Sequence, residues 1–193
     1  MSLAERLLIA RLRQREEQAF NEVVRLHQDK VFNLVLRMVG TRAEAEDIAQ
    51  EVFVTVFKSI ETFRGESKFT TWLLRIAANH SKNRIKYLAR RSTDKNGLDA
   101  APEASLADQG KAPVQAHFDA PDKMLEAAEM ETLMQEAIAT LDEEHRLLIV
   151  LRDIEELSYE EICEVTGLPE GTLKSRLHRA RMALKEHLGD RLK

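Results

Sequence analysis

The sequence predicts an all-α protein: two small helical domains joined by a flexible linker, with the C-terminal domain a helix-turn-helix. Three observations carry this. Apolar residues recur at helical spacing through long segments in both halves of the chain. Among 193 residues there are only seven glycines and 5% aromatics against 32% charged residues, a balance that favours helices over sheets. Between the halves, STDKNGLDAAPEASLADQGKAPVQAHFDAPD is rich in Ala, Asp, Pro, Gly and Ser and has no sustained apolar period. The expected division is a helical domain over residues 1–91, a flexible acidic linker over 92–122, and a second helical domain over 123–193.

Each element has a local reason. A first helix spans roughly Leu3 to Arg13. A second runs from about Glu16 to Val39, with Phe20, Val23, Val24, Val31, Leu34, Val35 and Met38 on its apolar side, and Gly40 ends it. Thr41 and Glu44 form a T-x-x-E capping box for a third helix that buries Ala45, Ile48, Ala49, Val52, Phe53, Val56 and Ile60. The loop FRGESK follows. A fourth helix begins near Phe69 and reaches about Arg90, with Leu73, Leu74, Ala77, Ser81 and Leu88 on its buried side. Beyond the linker, Met124 to about Thr140 is helical, and Asp142 caps a helix that reaches Arg152. Ser158 and Glu161 box the helix YEEICEVT, Gly167 closes it, and a last helix starts near Pro169. Two short helices across the tight turn TGLPE, the second of them basic, outline a helix-turn-helix.

Composition excludes several functions. The single cysteine, Cys163, can form neither an internal disulfide nor a cysteine-based zinc cluster; it suits a reducing compartment and reads as a small buried hydrophobe. No apolar run approaches the roughly 20 residues that cross a bilayer, and the start reads as an amphipathic helix, not a signal peptide, so a cytoplasmic protein is expected. No nucleophile elbow, P-loop or H-E-x-x-H occurs, and the six histidines are scattered. The expectation is no catalytic residue, no metal, no cofactor and no small-molecule substrate.

The net charge of −4 conceals local bias. Residues 1–91 carry 17 Lys and Arg against 11 Asp and Glu, a surplus of 6, whereas residues 142–193 carry 9 against 12. On the last helix, Leu173, Leu177, Ala180, Leu184 and Leu188 form a packing stripe. Opposite lie Thr172, Ser175, His178 and Arg179, flanked by Lys174, Arg176, Arg181 and Lys185. Small and hydrogen-bonding groups can reach base edges in a major groove while flanking cations reach phosphates; Arg179 is the candidate for a bidentate guanine contact. On the fourth helix and the loop before it, Arg64, Lys68, Arg75, Lys82 and Lys86 accompany Trp72, Asn79 and Asn83. Stacking, base-edge hydrogen bonding and backbone neutralisation are what a single strand requires, although a lone Trp in a bundle is more often core. His80 reads as packed. The third helix presents Asp47, Gln50 and Glu51 around Val54, either a solvated acidic face or a docking surface. Glu155, Glu156, Glu160, Glu161 and Glu164 read as solvated.

Three blocks carry a resemblance: AEDIAQEVFVTVFKSIETFRGESKFTTWLLRIAANHSKNRIK, LDEEHRLLIVLRDIEELSYEEICEVTG and LPEGTLKSRLHRARMALK. In this order and spacing the chain resembles the extracytoplasmic-function (ECF) sigma factors of bacterial RNA polymerase, across nearly its full length outside the linker. The resemblance implies a DNA-binding initiation subunit that binds core RNA polymerase and promoter DNA. Asp47, Gln50, Glu51 and Val54 would dock on the β′ clamp helices, with the β flap a further polymerase contact. The FRGESK loop and the face of Arg64, Lys68, Trp72, Arg75, Asn79, Lys82, Asn83 and Lys86 would engage the melted −10 element, the loop holding a flipped base. The last helix would read the −35 duplex through Thr172, Lys174, Ser175, Arg176, His178, Arg179, Arg181 and Lys185. The linker would thread toward the RNA exit path. An anti-sigma factor, often membrane-bound, is the implied inhibitor. The competing expectation is a stand-alone helix-turn-helix regulator of duplex DNA, which would not need the first block.

Overall fold

In a computed structural model, residues 2–95 and 121–191 are described, and every regular element among them is helical. Helix α1 is Leu3–Arg13, α2 Glu17–Val39, α3 Arg42–Ser59, α4 Phe69–Lys95, α5 Pro121–Thr140, α6 Glu143–Ile149, α7 Tyr159–Thr166 and α8 Glu170–Arg191. The expected linker narrows at both ends, because α4 continues through Lys95 and α5 begins at Pro121; the flexibility expected of the stretch between them lies outside the described residues.

Local chemistry fixes most boundaries. The Ser2 hydroxyl accepts from the Glu5 N–H and caps α1. Gly40, at φ +82°, takes the left-handed turn that ends α2, and its N–H donates to the Leu36 carbonyl at 2.8 Å. Both arms of the Ser158–Glu161 capping box form, at 2.9 and 3.2 Å. The box expected at Thr41 and Glu44 does not form. Thr41 starts α3 without a side-chain cap, and the Glu44 carboxylate, which would form the return arm of the box, is held by the Arg84 guanidinium on α4. An ion pair offers that carboxylate a charge-assisted bond in place of a neutral backbone donor. The helix from Asp142 also departs from expectation: beyond Ile149 it widens into a π-helical turn, Val150–Ile154, and so extends past Arg152.

Helix α4 packs against both α2 and α3. Leu34 and Val35 of α2, Val52 and Val56 of α3, and Leu73, Leu74 and Ala77 of α4 are fully buried. Ser81 is buried among them and donates to the Ala77 carbonyl of its own helix at 2.9 Å, so its hydroxyl is satisfied. The stripe then ends. Leu88, expected inside, is 38% exposed because α4 outruns the helices that cover it.

The second domain closes over Leu147, Leu148, Leu151, Ile162, Leu173 and Leu177. It also packs on the first: α7 lies against α4, and α2 meets α5 and α6. Here the acidic cluster departs from expectation. Glu155 is paired with Lys30 of α2 at 3.3 Å and Glu161 with Lys68 at 2.9 Å, so neither is simply solvated. Burial pushes the Glu155 carboxyl up, opposed by Lys30, while Lys68 holds the Glu161 carboxyl down. Arg146 donates to the carbonyls of Met38 and Ala139 at 2.6 Å each, placing a cation at the C-terminal ends of α2 and α5.

The His27 ring on α2 lies 5.5 Å from that of Phe69. Burial holds this imidazole below its ordinary value, with Glu5 partly opposing. The folded chain therefore takes up this proton less readily than the unfolded one. Its stabilising contribution is complete above about pH 6.5 and is lost as pH falls through the lowered folded value. Between pH 7.5 and 5.5 the melting temperature of wild type should fall further than that of His27→Phe; equal falls by calorimetry would contradict this.

Candidate nucleic-acid interface

Helix α8 exposes most of the residues that the sequence offered for a DNA groove. Leu173, Leu177 and Ala180 are buried, while Lys174, Ser175, His178 and Arg179 are exposed and Thr172 is half-buried. Ser175 donates to the Thr172 carbonyl at 2.9 Å, which holds its oxygen close to the helix. His178, Arg179 and Lys185 engage no other group among the described residues. The other cations differ. Lys174 pairs with Glu170 and lies 5.6 Å from the centre of the Tyr159 ring. Arg176 is tied to Glu144 and Arg181 to Asp153, both acids of the same domain. The acids on α6 and the π-helical turn thus neutralise two of the cations expected to flank the groove face.

The second basic face has two parts. Arg64, Trp72 and Arg75 come together around a cavity of about 400 Å³, also lined by Phe63, Gly65, Ser67 and Thr71. Gly65, at φ +76°, makes the turn that folds the loop over it. Trp72 is neither fully core nor free. Its ring lies 5.3 Å from that of Phe63 and 5.7 Å from that of Phe69, and it remains part of the cavity wall. Farther along α4, Asn79, Asn83 and Lys86 are exposed and Lys82 is half-buried. Trp72 and Asn83 lie 11 residues apart on one helix, so the face extends roughly 16 Å. Lys68 does not line the cavity; it is held by Glu161, and Glu164 of the same helix, α7, lines the cavity. Sequence reasoning gave no sign of these two acids at the basic face, because they are remote from it along the chain.

On α3, Asp47, Gln50, Glu51 and Val54 are all exposed, Val54 to 48%. They line one cavity of about 440 Å³ together with Thr55 and His80. His80 is therefore not merely packed, as its position on the wheel suggested. The only signal available was that His80 and Arg84 stand one turn apart on α4, facing the α3 acids.

Residues 23–91 match the profile of Sigma-70 region 2, and residues 131–184 that of Sigma-70, region 4. The chain is 37% identical over 189 residues to the ECF RNA polymerase sigma-E factor of Haemophilus influenzae, covering 96% of each chain. The chain belongs to the ECF sigma factors. It is 36% identical to the ECF RNA polymerase sigma factor SigW of Bacillus subtilis, over 94% of this chain and 95% of that one. The fold matches the sigma factor RpoE solved with the anti-sigma factor NepR from Bartonella quintana, at a TM-score of 0.66 and 22% identity, over 88% of this chain and 96% of that one. A stand-alone helix-turn-helix regulator would leave residues 23–91 unexplained. The chain is an alternative sigma factor for transcription initiation, with core RNA polymerase and promoter DNA as its partners. Its relatives are regulatory subunits and not enzymes. No helix among the described residues is long and apolar enough to cross a membrane.

In this sigma factor the Glu44–Arg84 pair joins α3 to α4. Both side chains are about one-third exposed, 31% and 30%. A double-mutant cycle on Glu44→Ala and Arg84→Ala, read by urea unfolding, should give a coupling of up to about 1 kcal/mol. No coupling would mean that the pair adds nothing to the hold of α3 on α4.

Proposed function

We propose that the two domains read two promoter elements of different physical state. The observation that carries this is the contrast between the faces. Helix α8 offers a convex, exposed ridge of Ser175, His178 and Arg179 that fits a duplex groove, with Thr172, Lys174 and Lys185 beside it. Helix α4 and the FRGESK loop offer a concave cavity walled by Trp72, Arg64 and Arg75, suited to an unstacked base. The C-terminal domain, over 123–193, reads the −35 duplex. The N-terminal domain, over 1–91, takes the melted −10 strand along Asn79, Lys82, Asn83 and Lys86. A strand entering the cavity meets the Glu164 carboxylate in its wall, and its phosphates compete with Glu161 for Lys68.

Docking on core polymerase falls to the α3 face. Asp47, Gln50 and Glu51 surround the exposed Val54, an apolar contact ringed by polar groups. Its partner is the β′ clamp helices, with the β flap contacting the C-terminal domain and the linker threading toward the RNA exit path. The chain has no catalytic activity of its own, works in the cytoplasm, and is held inactive by an anti-sigma factor, at the inner membrane where that inhibitor is membrane-bound. The support for an inhibitor is the solved relative named with one.

Arg179→Ala should cost roughly 1–3 kcal/mol of discrimination at one base pair of the −35 element, measured by competition among duplex variants. A uniform loss on every sequence would make Arg179 a phosphate contact instead. Asn79→Ala with Asn83→Ala should impair promoter opening, read by permanganate reactivity, while −35 duplex binding stays near wild type; equal losses would remove the single-strand assignment. Asp47→Ala with Gln50→Ala should weaken core polymerase binding by about tenfold or more. Unchanged affinity would overturn the docking face.

A further inference from the structure

Where α4 runs beyond its cover, it exposes an aromatic ring among cations. Tyr87 is 53% exposed, and Lys86, Arg90 and Arg91 are exposed with it. Arg90 and Arg91 follow Tyr87 by three and four residues, so both are its neighbours on the helix surface. None of these four side chains engages another group among the described residues. Between Glu66 and Asp94 the chain has no acidic residue. Among the described residues, the acids of other helices that meet α4 do so earlier. Glu161 takes Lys68, Glu164 lines the Trp72 cavity, Glu51 lies by His80 and Glu44 holds Arg84. Cations alone would keep a helix end soluble. A tyrosine half in water among them fits a partner that carries both negative charge and a flat aromatic face.

Direction and distance narrow the partner further. On a regular helix, Arg90 returns to the direction of Trp72 after about five turns, and Tyr87 stands about 60° from it. Asn79, Asn83 and Lys86 lie within about 40° of the same line. The surface is thus continuous with the face proposed for the melted strand. Tyr87 lies 15 residues beyond Trp72, roughly 22 Å along the axis. A stacked strand rises about 3.4 Å per nucleotide, so this distance holds about six nucleotides, and fewer where the strand is drawn out. A strand with one base in the Trp72 cavity therefore reaches Tyr87 within a few nucleotides, where melted DNA rejoins its complement. The duplex ends there in a base pair with one face bare.

We propose that Tyr87 stacks on the base pair that ends the duplex at one edge of the melted −10 segment, while Arg90 and Arg91 bind the phosphates beside it. The proposal rests on the reading of α4 as the single-strand face. It deepens that reading by giving α4 a second aromatic contact, whose partner is paired DNA and not a flipped base. Opening the DNA removes the stacking between the last closed pair and the first open one. The ring restores it on the closed side, and so favours one position of the junction over its neighbours. Stacking uses the flat ring and not the hydroxyl, so phenylalanine should serve in its place.

The test is equilibrium binding of the full-length chain, assembled with core polymerase, to fluorescently labelled fork-junction DNA from a promoter it uses. The junction is moved one nucleotide at a time across each edge of the melted segment, and melting temperatures confirm that each variant is folded. Tyr87→Ala should weaken binding about tenfold at one edge, most at a single junction position, and bind an unmelted −35 duplex as wild type does. Tyr87→Phe should match wild type on every probe. Arg90→Gln with Arg91→Gln should lower the salt slope at that edge by roughly two; an unchanged slope would remove both arginines from the phosphates. If Asn79→Ala with Asn83→Ala binds every fork as wild type does, the single-strand face itself is misassigned. If that pair weakens fork binding but Tyr87→Ala does not, the face stands and the role of Tyr87 is overturned. A loss in Tyr87→Ala that is equal on all probes, or a Tyr87→Phe variant as weak as Tyr87→Ala, would equally overturn stacking at the junction.

Discussion

The burial of one side of α4 is the constraint on which the rest of the structure depends. Leu73, Leu74, Ala77, Ala78 and Ser81 are withdrawn from water against α2 and α3. A helix held on one side has its other faces fixed in direction. Arg75, Asn79 and Asn83 must then point outward beside Trp72, and His80 and Arg84 must point at the acids of α3. One packed stripe thereby positions the face proposed for nucleic acid and supports the face proposed for docking on the same element. Shifting its register would move both together.

Charge distribution follows a similar logic. The chain is acidic overall, yet its acids are not spread passively over solvent. Glu155 and Glu161 meet cations of the other domain, Glu144 and Asp153 occupy Arg176 and Arg181, and Glu44 occupies Arg84. Among the groups left without such partners are Arg179 and His178 on α8 and Asp47 on α3, on the faces proposed for DNA and for polymerase. Exposed pairs of this kind contribute little stability individually. Their effect is to decide which charges remain available to a partner.

Much of this was legible in the sequence, for identifiable reasons. The periodicity of Leu173, Leu177 and Ala180 and the caps around Ser158 and Gly167 are local, and they placed the helix-turn-helix correctly. So did the run of residues that brought Asp47, Gln50, Glu51 and Val54 onto one surface. What sequence could not supply was pairing at long range. Glu44 looked like a capping residue until Arg84, 40 residues on, proved to hold it. The acids of α7 read as solvated because nothing local reveals that they face Lys68 and the Trp72 cavity. Leu88 kept the helical period of its neighbours but lies where α4 has run beyond its cover.

The central claim is that this chain confers two-element promoter choice on polymerase. The most direct measurement maps the 5′ ends of transcripts made on genomic DNA by core polymerase with and without the purified chain. The account predicts starts that require the chain and share two upstream motifs at fixed spacing, one within the duplex −35 region and one within the melted −10 region. Starts that are the same without the chain, or that share a single duplex motif with no conserved melted element, would contradict it.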